Sequence, residues 1–212
     1  MTLVTLVLLA ALIAISLYAI LGGADFGGGV WDLLAFGPRA QAQRDAVTLA
    51  IGPVWEANHV WLIYVVVLLF TCFPSAFADL AIGLYFPLMI ALVGIVLRGA
   101  AFVFRNYAAD AEGISSLLGV VFGSASILAP IGFGLAVGAL ATGRDNWTGP
   151  FACCIALFAV ALCAQIAAVF LTIDVTDRRL AEDFRARALL ATLAVAAIGA
   201  VALLTASATE PF

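Results

Sequence analysis

Six apolar segments, each long enough to cross a lipid bilayer, constrain this chain more than any other feature. Crossing the hydrocarbon core takes about 20 residues in a helix. Backbone polar groups inside lipid must be satisfied within the segment, which leaves helices as the spanning element. The sequence therefore predicts an all-α, polytopic transmembrane helix bundle of about six spans, with room for the first helix to continue to about residue 35. The spans are residues 3–21, 50–71, 79–104, 116–142, 150–173 and 187–206.

Composition supports the membrane interpretation. Hydrophobic residues make up 66% of the 212 residues and charged residues 10%, whereas soluble domains carry about 25% charged residues. The formal net charge of −4 excludes the clustered basic surface that nucleic acid requires. The start of the chain has no basic region before its apolar run, so the first span is expected to be retained and not cleaved as a signal peptide.

The arginines predict the orientation of the bundle. Arg39 and Arg44 follow span 1, Arg105 follows span 3, and four more arginines lie between spans 5 and 6. Loops rich in arginine favour the cytoplasmic side, so both termini are expected outside. The opposite side has the uncharged start of the chain, the 72–78 turn, Arg144 beside Asp145, and the tail that contains Glu210. The segment 174–187 is the one long charged run, and its composition favours a solvated cytoplasmic hairpin over a docking element.

The ionisable groups within the spans are the first candidates for function, because a charged group inside a bilayer is costly. Asp25 lies among glycines, and Asp32 follows seven residues later on nearly the same helix face. Gly23 and Gly27 are four residues apart, a spacing that lets two membrane helices approach closely. Asp25 is a candidate proton carrier, or alternatively a hydrogen-bonded residue that only stabilises packing. Arg98, near the end of span 3, is a further buried candidate.

A second group of polar residues opens span 2. Glu56 and His59 are three residues apart, so they share a helix face and can pair. Trp55, Asn58 and Trp61 add polar groups at the depth of the membrane interface. Ligation of a heme by this chain would depend on His59 alone. A histidine that is hydrogen-bonded at the membrane interface is therefore the favoured interpretation. The four cysteines match no zinc or redox spacing, and no metal site is predicted.

Four segments of the chain have distinctive sequences. They are GGADFGGGV at 22–30, IGPVWEANHVWLI at 51–63, LRGAAFVFR at 97–105, and the stretch from FGS at 122–124 through Gly143. Together, in their order and spacing, they resemble subunit II of the cytochrome bd-type ubiquinol oxidases, and the second segment is long and irregular. The similarity covers residues 10–145 well, whereas residues 146–206 resemble the family only in hydropathy.

The resemblance implies a role as a non-heme-ligating integral subunit in the bacterial inner membrane. Family members pack two four-helix halves against subunit I, which carries hemes b and d and the quinol site. Subunit II supports assembly, some members are proposed to lead cytoplasmic protons toward the oxygen-reducing centre, and at least one holds a structural quinone. The expected partners are subunit I, membrane lipid and quinone, and the sequence leaves open whether a small accessory subunit joins them. This chain alone is not expected to be catalytic.

Two comparisons with the family pattern concern the site and the length. The acidic residues proposed to carry protons in the family fall on Asp25 and Glu56, with Asp32 as a third candidate, whereas Val103 stands where many relatives have an acid.

Six spans fit here and not eight. Residues 1–145 would form the four-helix N-terminal half, and residues 146–212 an incomplete second half of two helices plus the hairpin 174–187. The sequence leaves open whether six spans mean a natural short form, a split gene or a truncated product.

Two other functions stay as alternatives. One is a transporter or channel, because intramembrane acids and glycine-rich helices also occur there. This function predicts sequence similarity between the two halves of the chain. No clear inverted repeat is visible. A non-catalytic remnant of the oxidase subunit is the second alternative, because of the missing spans and Val103.

Overall fold

The computed structural model describes residues 2–107, 112–143 and 146–208, and all regular structure within these ranges is helical. Six of the helices are long and apolar enough to cross a membrane. The predicted all-α bundle of six spans is thereby confirmed, whereas the outside position of the N-terminus stays a prediction. Arg144 and Asp145 lie outside the described residues. The helices are α1 (Leu3–Leu33), α2 (Ala40–Ile51), α3 (Trp55–Cys72), α4 (Pro74–Gly83), α5 (Tyr85–Tyr107), α6 (Glu112–Thr142), α7 (Pro150–Asp174) and α8 (Arg178–Ala208).

Two span boundaries differ from the expected ones. Span 2 begins at Trp55 and not at residue 50, because α2 is a separate helix whose buried residues Gln43, Val47 and Ile51 recur every four positions. Span 3 corresponds to α5, because the short helix α4 precedes it and ends at Gly83. Pro74 opens α4, a position where the missing amide hydrogen of proline costs little.

The first helix runs without a break through its glycines. Glycine weakens helices in water, but inside a bilayer no water competes for the backbone groups. The buried residues of α1 concentrate in its second half, from Gly22 to Asp32. This half packs against α6 and α7, while α3 lies against α1, α5 against α6, and α8 against α7. Because α7 contacts both α1 and α6, packing continues across residue 145, and the division into two halves stays a prediction.

Small residues set the closest helix approaches. A Cβ atom at Gly27 would collide with the backbone carbonyl of Cys163 on α7. A Cβ atom at Gly23 would lie 3.6 Å from Ile166 Cδ1 and 3.7 Å from Cys163 Sγ, which is ordinary contact. Helices α1 and α7 are therefore in backbone contact at Gly27. At Gly23, one turn earlier on α1, they are packed less closely.

The segment 174–187 consists of the end of α7, a short connection and the first turns of α8, and most of its charged side chains are exposed. Helix α7 ends at Asp174 and α8 begins at Arg178, so only residues 175–177 connect them. Phe184 is fully buried in a cluster with Val47, Ile51 and Leu171. Burial of this apolar face holds the start of α8 against α2 and the end of α7, with the remaining charges facing outward.

Candidate functional site

The carboxyl group of Asp25 lies inside the bundle, with 2% of the residue exposed. Asn58 Nδ2 of α3 donates to Asp25 Oδ2 at 2.9 Å and to the carbonyl of Leu21 at 3.4 Å. A buried polar group keeps its place in an apolar interior only when it is hydrogen-bonded. The amide of Asn58 therefore fixes the carboxyl of Asp25 between α1 and α3.

A buried guanidinium group lies beside this carboxyl. Arg98 of α5 is 1% exposed, and its Nη2 donates to the backbone carbonyl of Asp25 at 3.0 Å. The guanidinium carbon lies 5.4 Å from the centre of the Phe26 ring and 5.1 Å from that of Phe122. Such cation–π contacts partly replace the lost hydration of a buried cation. Within the described part of the chain, Arg98 Nε has no hydrogen-bond partner.

Asp32 forms a second acid–arginine pair nearer to the end of α1. Arg105 Nη1 donates to both carboxylate oxygens of Asp32, at 3.0 Å each. The side chain of Asp32 is 2% exposed and that of Arg105 is 18% exposed. Arg44 Nε of α2 donates to the backbone carbonyl of Asp32 at 3.3 Å. Asp32 is thus a buried carboxylate whose counter-ion is partly in contact with solvent.

A polar cavity of about 530 Å³ opens beside Asp32 and Arg105. It lies at the ends of α1 and α5 and at the start of α6, on the side that the arginine-rich loops predict to be cytoplasmic. Because Asp32 forms part of its wall, this cavity connects a buried carboxylate with that side of the molecule. Its lining is formed by Asp32, Leu33, Gln41, Arg44, Arg105, Ser115, Ser116, Gly119 and Val120.

Two smaller, mostly apolar cavities face the outside of the bundle. One, of about 260 Å³, includes Asp25 and Asn58 in its wall together with residues of α1, α2, α3 and α7. The other, of about 330 Å³, is a groove between α1 and α3 that Trp61 helps to line. Asp25 therefore borders a cavity, but an apolar one.

Glu56 and His59 do not form the pair that their spacing allows. Glu56 is exposed on the first turn of α3, and His59 Nδ1 is 2.9 Å from the carbonyl of Trp55. The ring of His59 meets the edges of Tyr18, Phe26 and Trp55 at centroid distances of 5.8, 5.8 and 6.2 Å. Among the described residues, no cluster of three or more His, Cys, Asp or Glu side chains could hold a metal ion.

The structure brings Asp25, Asn58 and Arg98 together and places Asp32 in a separate pair farther along α1. Trp55 packs against Phe102 of α5 and against His59. Local sequence patterns did not indicate Arg105 or Arg44 as site residues. The matching seven-residue spacings of Asp25 with Asp32 and of Arg98 with Arg105 were the available signal for Arg105.

Comparison with known proteins identifies the family. The profile described as "Cytochrome bd terminal oxidase subunit II" matches residues 1–209. The chain is 37% identical over 86 residues to cytochrome bd ubiquinol oxidase subunit 2 of Bacillus subtilis, covering 41% of this chain and 25% of that protein. It is 30% identical over 117 residues to a second B. subtilis protein, named putative cytochrome bd menaquinol oxidase subunit II, covering 52% and 34%.

The same similarity extends to a protein of another bacterium. Cytochrome bd-I ubiquinol oxidase subunit 2 of Escherichia coli K12 is 30% identical over 89 residues, covering 42% of this chain and 23% of that protein. The matched region thus spans about a quarter to a third of each of these relatives. Together with the six apolar helices, the family places the protein in the bacterial inner membrane as a multi-pass protein. The chain belongs to the family of cytochrome bd terminal oxidase subunit II.

Proposed function

We propose that this chain is a non-heme-ligating subunit of a bd-type quinol:oxygen oxidoreductase. In this function it supports assembly of a larger heme-bearing subunit and conducts protons from the cytoplasm through Asp25. The hemes b and d would lie in that partner, since the one histidine of this chain is enclosed by aromatic rings. The chain would supply the membrane scaffold and the proton path, while the partner carries out the redox chemistry.

The buried carboxyl of Asp25 is the observation that carries the proton-conducting part of the proposal. It lies inside the bundle, hydrogen-bonded to Asn58, and the guanidinium of Arg98 bonds to the backbone carbonyl of Asp25. Buried acids in membrane spans commonly belong to ion or proton paths. A role limited to the hydrogen bond with Asn58 would be served as well by an uncharged amide, and that difference makes the proposal testable.

Glu56 has a different place in the proposed path. Its side chain is exposed on the outer surface of α3, so it can exchange protons with a partner subunit packed against that surface. We place Asp25 in the interior of the path and Glu56 at the surface of the chain. The apolar cavity of about 260 Å³ beside Asp25 is the candidate position for a bound quinone ring.

The assembly part is tested by purifying the tagged chain from mild-detergent membranes and recording the optical spectrum of what accompanies it. We expect a larger subunit together with reduced b- and d-type heme bands. A chain that purifies alone and without colour from membranes in which bd-type hemes are present would contradict the proposed function.

The proton-conducting part is tested with Asp25→Asn in the purified oxidase. We expect oxygen consumption to fall by about tenfold or more, because an amide cannot carry the proton, while heme content stays the same. Asp174→Asn, at the exposed end of α7, is the matched control and should turn over normally. Unchanged turnover of a correctly assembled Asp25→Asn oxidase would remove proton conduction from the proposal.

A further inference from the structure

Two acid–arginine pairs follow one another along the same side of α1. Asp25 and Asp32 are seven residues apart on α1, as are Arg98 and Arg105 on α5. Each arginine bonds to the aspartate that lies 73 positions before it in the sequence, Arg98 to Asp25 and Arg105 to Asp32. In a helix with about 3.6 residues per turn and a rise of about 1.5 Å, seven residues return to nearly the same face about 10 Å farther along. The interior of the chain therefore contains two polar levels, one deep and one close to the arginine-rich side.

The two levels differ in their access to solvent. At the outer level, Arg105 is bonded to the carboxylate of Asp32 and belongs to the wall of the 530 Å³ cavity. At the inner level, Arg98 is bonded to the backbone of Asp25 and not to its carboxylate, and it is 1% exposed. Protons from the arginine-rich side can therefore reach the outer carboxylate first.

Polar atoms also lie between the two levels. Ser126 of α6 is fully buried, and its hydroxyl lies directly against Gly29, between Asp25 and Asp32 along α1. The hydroxyl donates to the carbonyl of Phe122 at 2.7 Å, which leaves its oxygen able to accept a hydrogen bond. Arg98 Nε remains a donor without a partner among the described residues. An acceptor is thus present between the two levels, and a donor without a partner is present at the inner level.

We infer that the Asp32–Arg105 pair is the inlet of the proton path and that Ser126 and Arg98 hold water that carries the proton inward to Asp25. This inference rests on the proposed function and specifies its inlet. A proton from cavity water binds a carboxylate oxygen of Asp32 as the hydrogen bonds from Arg105 break. It then passes along the water to the carboxyl of Asp25, and Asp32 returns to its pair with Arg105 in its original charge state.

This inlet also accounts for Val103. The side chain of Val103 is 39% exposed, whereas Arg105, two residues later, points inward to Asp32. A path through Asp32 does not pass the position of Val103, so the absence of an acid there does not interrupt it. Among the residues that the structure describes, the other charged groups near Asp32 are Arg44 and Asp45 of α2, and Asp45 is exposed and hydrogen-bonded to Gln41.

The first experiment measures turnover of the assembled oxidase with Asp32→Asn. We expect oxygen consumption to fall by about tenfold and its solvent deuterium isotope effect to rise, because proton uptake becomes the slow step. Asp45→Asn removes a carboxylate next to the same cavity without touching Arg105, and it should change neither quantity. Asp32→Glu keeps a carboxyl group and should restore most of the turnover.

Asp25→Asn in the same series separates the two proposals. If Asp25→Asn slows turnover and Asp32→Asn does not, the inlet is wrong while proton conduction through Asp25 stands. If neither variant slows turnover, both proposals fail. If Asp32→Asn slows turnover without a change in the isotope effect, its role is structural and the inlet is overturned.

The second experiment leaves Asp32 and Arg105 intact, so it applies even where Asp32→Asn does not assemble. Ser115→Cys is introduced into a version of the chain whose four cysteines are replaced, and inverted membrane vesicles are treated with a charged, membrane-impermeant thiol reagent. We expect the reagent to label Ser115→Cys, which lies in the cavity wall, and not Ser126→Cys, which is buried. Labelling of Ser115→Cys should then lower turnover by about fivefold or more relative to the unlabelled variant. Turnover that is unaffected by complete labelling would overturn the inlet.

Discussion

At the scale of single residues, the contact between Asp25 and Asn58 determines the chemistry that the interior of the bundle can support. Asn58 is buried and gives its amide hydrogens to the carboxyl of Asp25 and to the carbonyl of Leu21. The carboxyl is thereby held at a fixed position next to Arg98. A rigid position matters for proton transfer, since donor and acceptor must be within hydrogen-bond reach.

We expect Asn58→Ala to destabilise the chain, because it leaves the buried carboxyl of Asp25 without its donor. The loss of a hydrogen bond to such a group costs about 1.5–3 kcal/mol. Thermal unfolding in detergent measures this cost as a lower midpoint. Glu56→Gln, two residues earlier but exposed, is the matched control and should leave the midpoint unchanged. An Asn58→Ala midpoint equal to that of the control would show that the contact contributes nothing to stability.

The residue contacts were only partly predictable from sequence. Apolar surroundings identified Asp25 and Asp32 as buried candidates, and the structure places both inside the bundle. The spacing of Glu56 and His59 allowed a pair that does not form, because His59 bonds to the carbonyl of Trp55 one turn earlier. The partners of Asp25 and Asp32 lie 33 and 73 residues away, so they depend on helix packing that local spacing does not specify.

At the scale of helices, the approach of α1 to α7 depends on one glycine. A side chain at Gly27 would collide with the backbone of Cys163, and backbone atoms cannot move aside as a flexible side chain does. Trp31, one turn after Gly27 on α1, donates from Nε1 to the carbonyl of Ala164, the residue after Cys163 on α7, at 2.7 Å. The two helices are therefore held together at short distance and with a defined register.

Gly27→Ala should separate α1 from α7 and lower the free energy of unfolding by about 1–3 kcal/mol, the usual cost of overpacking. Gly23→Ala is the matched control, since its Cβ atom would make ordinary contacts of 3.6 and 3.7 Å. Both variants are compared by thermal unfolding in the same detergent. A Gly27→Ala midpoint no lower than that of Gly23→Ala would contradict the close approach.

The helices themselves were largely predictable, since six apolar runs gave six spans with the correct order. Helices α2 and α4 were missed as separate elements because the apolar runs continue across their ends. Hydropathy measures how apolar a segment is, but it does not register the breaks at residues 52–54 and at Leu84. The place of the charged segment 174–187 likewise depended on tertiary contacts of Phe184 and Arg187, which composition does not reveal.

At the scale of the whole molecule, a network at the arginine-rich end joins the start of α8 to the α1–α2 connection. Arg187 Nη2 donates to Gln43 Oε1 at 2.6 Å, and Arg39 pairs with Asp183 at 2.6 Å. The guanidinium of Arg187 lies against the rings of Trp31 and Phe184. Among the described helices, the main packing partner of α8 is α7, so this network links α8 to the first part of the chain.

We predict that Arg187→Gln loosens the start of α8, because it removes a buried side chain that contacts three aromatic rings and leaves Gln43 without its donor. The expected local loss is about 1–3 kcal/mol, which corresponds to roughly a five- to 150-fold loss of protection for the amides of residues 178–190. Hydrogen exchange in detergent micelles measures this directly. Arg185→Gln, on the exposed side of the same turn, should leave exchange unchanged. If Arg187→Gln exchanges no faster than Arg185→Gln, the start of α8 is held by the apolar cluster around Phe184 alone, and the polar network has no part in its docking.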